Sequence, residues 1–563
     1  MKELIIKNGL VYDPLNKING EKMDICIRDD KIVESVSDKA EVIDASGMVV
    51  MPGGVDLHSH IAGGEVDTAR MLRPEDHYQD YEYKTAITHS GVGYSLPTTY
   101  TTGYRYSRMG YTTVMTPSAV ALQARHVHEE LKDTPMLDSG IFTLLGDWWF
   151  SLEHIRDGLL EKNAAHLAWM LNSSKAYAIK VVNPGGLESW GFGRNVRGID
   201  DEVPNFGITP REIVRGLIKA NTLLNLPHSI HLHCNRLGQP GNSAVTLETM
   251  KAVENLAKYD KPIMHITHVQ FNAYGGEDWS TFKSGAEELS KYMNNHNHVT
   301  MDMGQVTFTD TTTMTADGPA QFGLYNVTGN KWVNHDVGVE TAGGIVPIKY
   351  KRSSPVNALQ WSIGLEMALL VKDPWKIFMT TDHPNGGPFT LYPKVITWLM
   401  SKDAREKVLK KIHRQAKRKS LLPTIDRELT LYELAVMTRA GTAKVLGMKQ
   451  KGHLGVGADA DVAIYNINPE QVDIAKKYLT FRKALKKAAY TIKGGEIVVK
   501  DGKVVKEVFG NVHHLNIETK MPADAYGDLQ ARFKEYVTVE YENYPIQDGF
   551  VHNPISIPVK AGV

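Results

Sequence analysis

The chain has 563 residues and carries 64 Lys+Arg against 64 Asp+Glu, so its net charge of zero excludes a global electrostatic attraction to nucleic acid or membrane. Its two cysteines, Cys26 and Cys234, exclude a disulfide framework or a thiolate cluster built by this chain alone. No run approaches eighteen uncharged apolar residues and the first residues, "MKELIIKNGL", hold no signal-type core, which predicts a cytoplasmic protein without a membrane segment.

Residues 1–50 read as short strands separated by turn residues ("ELIIKNGLVYD", "DICIRDDKIVESV", "AEVIDASGMVVMPGG"). The same grammar returns over residues 446–510 in "GVGADADVAIYNI" and "YTIKGGEIVVKDGKVV", so the two ends are expected to form one composite β-sandwich. Between them, over 51–445, apolar runs alternate with amphipathic helical patterns: "YTTVMTPSAV", "AYAIKVVNPGG", "HSIHLHCN", "KPIMHITHVQ", "HVTMDMGQV" and "IFMTTDHPNGG" each lead into a polar or glycine-rich loop. That alternation predicts α/β architecture, a TIM-like (β/α)8 barrel with insertions. Helix starts are marked by Thr209 to Glu212, by Thr430 to Glu433, and by Ser354 before Pro355. The basic run "REKVLKKIHRQAKRK" has the pattern of a cationic amphipathic helix on a solvated or subunit-facing surface, and residues 511–563 read as an extension for subunit contact.

Side chains that bind metals recur at the ends of these runs. In "MVVMPGGVDLHSH" the alternation of a strand puts His58 and His60 on one face, where two neutral imidazoles suit a metal ion. Lys180 follows, then His231 and His233, His265 and His268, and last Asp382. A lone H-x-H is a weak signal; donors in series at the C-terminal ends of barrel strands share one rim, where barrels carry their sites. Spacing does not choose between His231 and His233, or between His265 and His268.

The order H-x-H, Lys, His, His, Asp, together with "VMPGGVDLHSH", "TTDHP" and "GVGADADVAIYN", resembles the metal-dependent amidohydrolase superfamily over the whole chain. This resemblance implies two zinc ions bridged by N6-carboxylated Lys180, with His58, His60, His233, His268 and Asp382 as the other ligands and Asp382 as the catalytic proton carrier. Longer stretches, "GGEVDTARMLRPEDH", "YTTGYRYSRMGYTTVMTPSAVAL", "VVNPGGLESWGFGRNVRG" and "HSIHLHCNRLGQPGN", are similar to the A-subunit family of formylmethanofuran dehydrogenases and its relatives in bacterial formyltransferase/hydrolase complexes. They imply condensation of formate with methanofuran to N-formylmethanofuran during carbon dioxide reduction in methanogenesis, or the reverse hydrolysis. The implied partners are a tungsten- or molybdenum-pterin subunit like formate dehydrogenase, ferredoxin-like Fe-S subunits and a β-helical subunit, which would together hold all the redox centres. Arg194, Arg197 and Arg236, on rim loops, either bind the carboxylates of methanofuran or brace their loops. The rival readings are a cyclic-amide hydrolase of the dihydropyrimidinase type and a metal-free scaffold.

Overall fold

A computed structural model describes the chain apart from residues 79, 258–260, 337–341, 521–522, 538–539 and 563, and apart from the side chains of 334–336, 342 and 523. Eight parallel strands come in chain order: β1 (Gly54–Asp56), β2 (Tyr111–Ala119), β3 (Asp138–Leu144), β4 (Ala178–Val182), β5 (Ile230–His233), β6 (Met264–Ile266), β7 (Val299–Asp302) and β8 (Ile377–Phe378). Each pairs with the next from β1 through β8. Just past the strand ends, Ser59 bridges His383 and the His60 amide donates to the His383 carbonyl at 2.8 Å, which closes the ring. The strands are almost wholly buried, as parallel strands covered on both faces must be. All six of the strand-like runs read from the sequence contribute a barrel strand.

Local signals set the helices between them. Thr209 and Glu212 cap the helix Pro210–Leu223 reciprocally, Thr430 and Glu433 do so for Leu431–Ala435, and Ser354 caps Pro355–Leu370. The basic run does not form one helix. It breaks into Lys402–Leu409 and Arg414–Arg418, and Arg405 turns inward to donate to the carbonyls of Trp398, Ile425 and Arg427.

The chain ends meet in a nine-stranded sheet, in which Val49–Pro52 pairs antiparallel with Val462–Tyr465 over its own core of Ile6, Ile27, Ile464 and Ile492. An ionic knot ties this composite domain to the underside of the barrel. Lys451 Nζ lies against Asp138, the first residue of β3, and 2.8 and 2.7 Å from Asp459 and Asp461, while Lys493 Nζ is 2.7 Å from Asp138. Lys451 and Asp138 are buried, so removing the lysine leaves three carboxylates with two lysines, Lys493 beside Asp138 and Asp461 and the more exposed Lys31 beside Asp459. Lys451→Met is expected to destabilise the protein by about 3–5 kcal/mol, read as a shift in denaturant midpoint; an unchanged midpoint would show that the carboxylates find water or protons elsewhere.

Two additions frame the barrel. Between β7 and β8 the chain builds an antiparallel sheet (Asp310–Thr315, Ala342–Lys349, Val333–Asp336) and a helix, Gly318–Thr328. At the C-terminal end, Val512–Glu518 lies beside β3 and pairs in parallel with Pro554–Lys560, while Phe533 of the helix Ala523–Tyr536 packs on Trp169 of the helix Leu160–Ser173. This extension covers the chain's own barrel. Among the described residues no helix is long and apolar enough to cross a membrane.

Candidate metal centre

The strand that carries the H-x-H is held at its end from three directions. The His58 amide donates to Asp56 Oδ1 at 3.1 Å, and the hydroxyls of Tyr106 and Tyr392 reach Asp56 Oδ2. Burial pushes the Asp56 carboxyl up to about 6 against these hydrogen bonds. Both imidazoles therefore leave the end of β1 in a fixed direction, toward Asp382.

There the donors converge. Asp382 Oδ1 lies 2.9 Å from His58 Nε2 and 3.2 Å from His60 Nε2. His58, His268 and Asp382 each bring one ligand atom to within 4.8 Å of the others. His268 and Asp382 are both held at positive φ, 36° and 49°, a conformation that residues other than glycine keep only where their surroundings impose it. Gly304, just after β7 with φ 61°, makes the space: a side chain there would run into that of His268.

Strand register brings in the lysine. Lys180 of β4 stands opposite His231 of β5, which stands opposite His265 of β6, so the three form one inward row with His233 a step nearer the rim. Lys180 Nζ is 3.5 Å from Thr267 Oγ1. Its burial outweighs the attraction of Asp382 and Asp302 and lowers its pKa to about 8. The His233 and His268 rings meet edge to face at 4.7 Å. Burial holds the pKa values of His60, His233 and His268 below the ordinary value, keeping them in the neutral, ligating form. All six of the ligand positions read from the sequence, His58, His60, Lys180, His233, His268 and Asp382, lie at this rim, and none is more than 6% exposed.

The alternatives that spacing left open differ in what their nitrogens already do. His231 uses both, with Nδ1 3.1 Å from His228 Nε2 and Nε2 3.1 Å from His58 Nδ1. So does His265, with Nδ1 2.9 Å from Thr300 Oγ1 and Nε2 3.2 Å from Asp302 Oδ2. His268 Nδ1 has no hydrogen-bond partner among the described residues.

Two carboxylates beneath and above the donors escaped the sequence reading. Asp302 ends β7; its Oδ2 is 3.2 Å from His58 Nδ1, and its Oδ1 accepts from the His268 amide and the Thr380 hydroxyl at 3.0 and 2.6 Å. Asp317 lies in the insertion after β7, its Oδ2 3.1 Å from His233 Nε2. For Asp302 a signal existed, an Asp at the end of the apolar run "HVTMD"; for Asp317 there was none. Burial would raise the Asp302 carboxyl, but the His58 and His265 imidazoles hold it far below the usual carboxylate range.

The three arginines do not join this cluster. Arg194 and Arg197 are exposed on the loop after β4, and among the described residues neither guanidinium has a hydrogen-bond partner. Arg236 donates to the Pro240 carbonyl at 3.1 Å and lines a cavity of about 600 Å³ with Lys283 and Glu287, outside the six donors.

The donor set fits divalent metal. His58 Nε2, His268 Nδ1 and Asp382 Oδ1 are buried without a hydrogen-bond partner among the described residues, and these three side chains each bring a ligand atom close to the others, as donors do around metal. Behind His58 stands an orienting carboxylate, the usual support of a ligating imidazole.

Comparison with known proteins agrees with this geometry. A model of the amidohydrolase family matches residues 41–499. The chain is 52% identical over 562 residues to Protein FwdA of Methanocaldococcus jannaschii, covering 98% of each. It is 36% identical over 547 residues to the A subunit of the formyltransferase/hydrolase complex Fhc of Methylorubrum extorquens, covering 94% of each. The crystal structure of the formyltransferase/hydrolase complex FhcABCD from Methylorubrum extorquens, in complex with methylofuran, contains a similar chain: TM-score 0.89 at 34% identity, over 99% of this chain and 100% of that one. On its barrel, its composite domain and these full-length relatives, the chain belongs to the amidohydrolase family.

Proposed function

We propose that this chain is the amide-forming and amide-cleaving subunit of a cytoplasmic multi-subunit complex, a dinuclear zinc amidohydrolase that condenses formate with the amine of methanofuran and runs the reverse hydrolysis of N-formylmethanofuran. The observation that carries the reading is the burial of six metal-binding side chains at one barrel rim. The full-length likeness to FwdA, and to a chain from a complex crystallised with methylofuran, supports the choice of amide.

His58, His60 and Asp382 would hold one zinc ion, His233 and His268 the other, and Lys180, carboxylated on Nζ, would join both. When bound, such a pair activates water and polarises the scissile carbonyl. Around it the protein's own groups do the rest. Asp382 takes a proton from the attacking water and returns it to the departing amine nitrogen; in condensation it runs these transfers backward. Asp302 keeps His58 turned so that Nε2 faces Asp382. The exposed guanidiniums of Arg194 and Arg197 are available to the carboxylates of methanofuran, with Arg236 on the loop after β5 as a third candidate. Two cysteines cannot hold an iron–sulfur cluster, so the tungsten- or molybdenum-pterin and Fe-S centres that supply formate belong to partner subunits, and a further partner is a β-helical subunit.

Likeness to the Fhc chain favours a second reading of direction, net release of formate, with the same residues in the same roles. The test is zinc content together with formate release from N-formylmethanofuran and its formation from formate and methanofuran. The expected result is about two zinc ions per chain and conversion both ways. Preferred turnover of hydantoin or dihydrouracil would move the reading to cyclic-amide hydrolases, and zinc-free, inert protein would leave only a scaffold.

A further inference from the structure

The two carboxylates that orient the donors have different origins. Asp302 belongs to the barrel, while Asp317 belongs to the insertion and immediately precedes its helix Gly318–Thr328. Asp317 is fully buried and both its oxygens are committed. Oδ2 is 3.1 Å from His233 Nε2; Oδ1 accepts from the Ala320 amide at 3.1 Å, capping the helix, and from Asn183 Nδ2 at 3.1 Å. Asn183, at the end of β4, also accepts from Asn235 on the loop after β5 at 2.9 Å and donates to Asn195 on its own loop. The aromatic side of the insertion helix leans on that same loop, where Phe322 meets Trp190 at 5.4 Å.

This arrangement fixes a tautomer. A carboxylate beside Nε2 holds the proton there and leaves the Nδ1 lone pair of His233 bare for an ion, the reverse of His58, whose Nδ1 faces Asp302.

We propose that Asp317 is a positioning residue through which the insertion after β7 sets His233 for its metal, so that the second metal position is held only while the insertion is seated. The inference rests on reading His233 as a ligand. Asp317 is joined to the capping of its own helix, so seating the insertion and aiming the imidazole are one event rather than two.

The test is zinc release into a chelator, followed on the whole chain by metal analysis, for Asp317→Ser, Asp317→Thr, Asp317→Asn and His233→Ala. Serine still caps the helix but falls short of His233. Asp317→Ser is expected to release one of the two zinc ions about 10–100-fold faster than wild type with its melting temperature nearly unchanged. Asp317→Asn, whose amide oxygen still reaches Nε2–H, should recover much of the loss, and Asp317→Thr, a second capping side chain too short to reach His233, covers the case in which the serine variant does not fold. If His233→Ala loses one zinc ion while the Asp317 variants release zinc like wild type, the positioning role falls and the ligand reading stands. If His233→Ala keeps both ions tightly, the ligand reading falls and takes the inference with it.

Discussion

Lys180→Ala is expected to abolish amide turnover, by about 10⁴-fold or more, and to drop zinc from about two ions per chain to below one while the barrel stays folded. The lysine is the one cation in an inward row otherwise made of imidazoles, and as an ammonium it would repel the ions that its neighbours attract. Addition of carbon dioxide resolves the conflict: the ammonium gives up one proton to become the amine, the Nζ–C bond forms with loss of a second, and a cation becomes an anion with two oxygens to share. Arginine at this position should fail as fully as alanine, since a guanidinium neither deprotonates nor adds carbon dioxide.

That addition needs the neutral amine, which gives the prediction a pH signature. Burial disfavours the ammonium and brings Lys180 to about 8, with Asp382 and Asp302 opposing. At pH 7 roughly a tenth of such an amine is neutral, against about one part in 2,500 for an exposed lysine near 10.4. At fixed dissolved carbon dioxide, reactivation of metal-free protein by zinc should therefore rise about tenfold per pH unit below about 8 and level off above it. A rate that keeps climbing through pH 9 would mean an unperturbed lysine and would count against the carboxylated bridge.

How much of this centre the sequence reveals depends on where each residue's partner lies. His58 and His60 announce themselves because the strand period puts them on one face, and Lys180, His233, His268 and Asp382 because each ends an apolar run. Choosing His268 over His265 is a different problem, since it turns on which nitrogens are already occupied. Thr300 and Asp302 saturate His265 from the neighbouring strand, and nothing within "MHITHVQ" records that. Asp302 reaches His58 across 244 residues and Asp317 reaches His233 across 84, distances over which no periodicity speaks. The fold divides the same way. Helix caps and alternating strands are local and legible, whereas the sheet inserted after β7 and the pairing of Val512 with Ser139 are settled only by what the completed barrel leaves to be covered.

Asp382→Asn is the substitution that separates holding metal from moving a proton. The side chain keeps its volume and one oxygen for an ion, yet an amide cannot take up and return a proton at neutral pH. Burial would raise this carboxyl, but the imidazoles of His268 and His58 keep it well below the usual carboxylate range, so it is ionised across the working pH and ready to accept. Loss of a positioned acid–base group costs about 10²–10⁴-fold, so kcat for N-formylmethanofuran hydrolysis should fall by that factor with KM changed only a few-fold. Zinc content should stay near two ions in the asparagine variant and fall in Asp382→Ala, which also gives up the oxygen that His58 and His60 converge on. If the asparagine variant keeps kcat within about tenfold, the proton is carried by another group, and His383 next in the chain becomes the first to examine. Its Nδ1 already accepts from the Phe389 amide at 3.2 Å, which leaves only Nε2 to take up a proton, whereas the proposed carrier Asp382 stands where His58 and His60 converge.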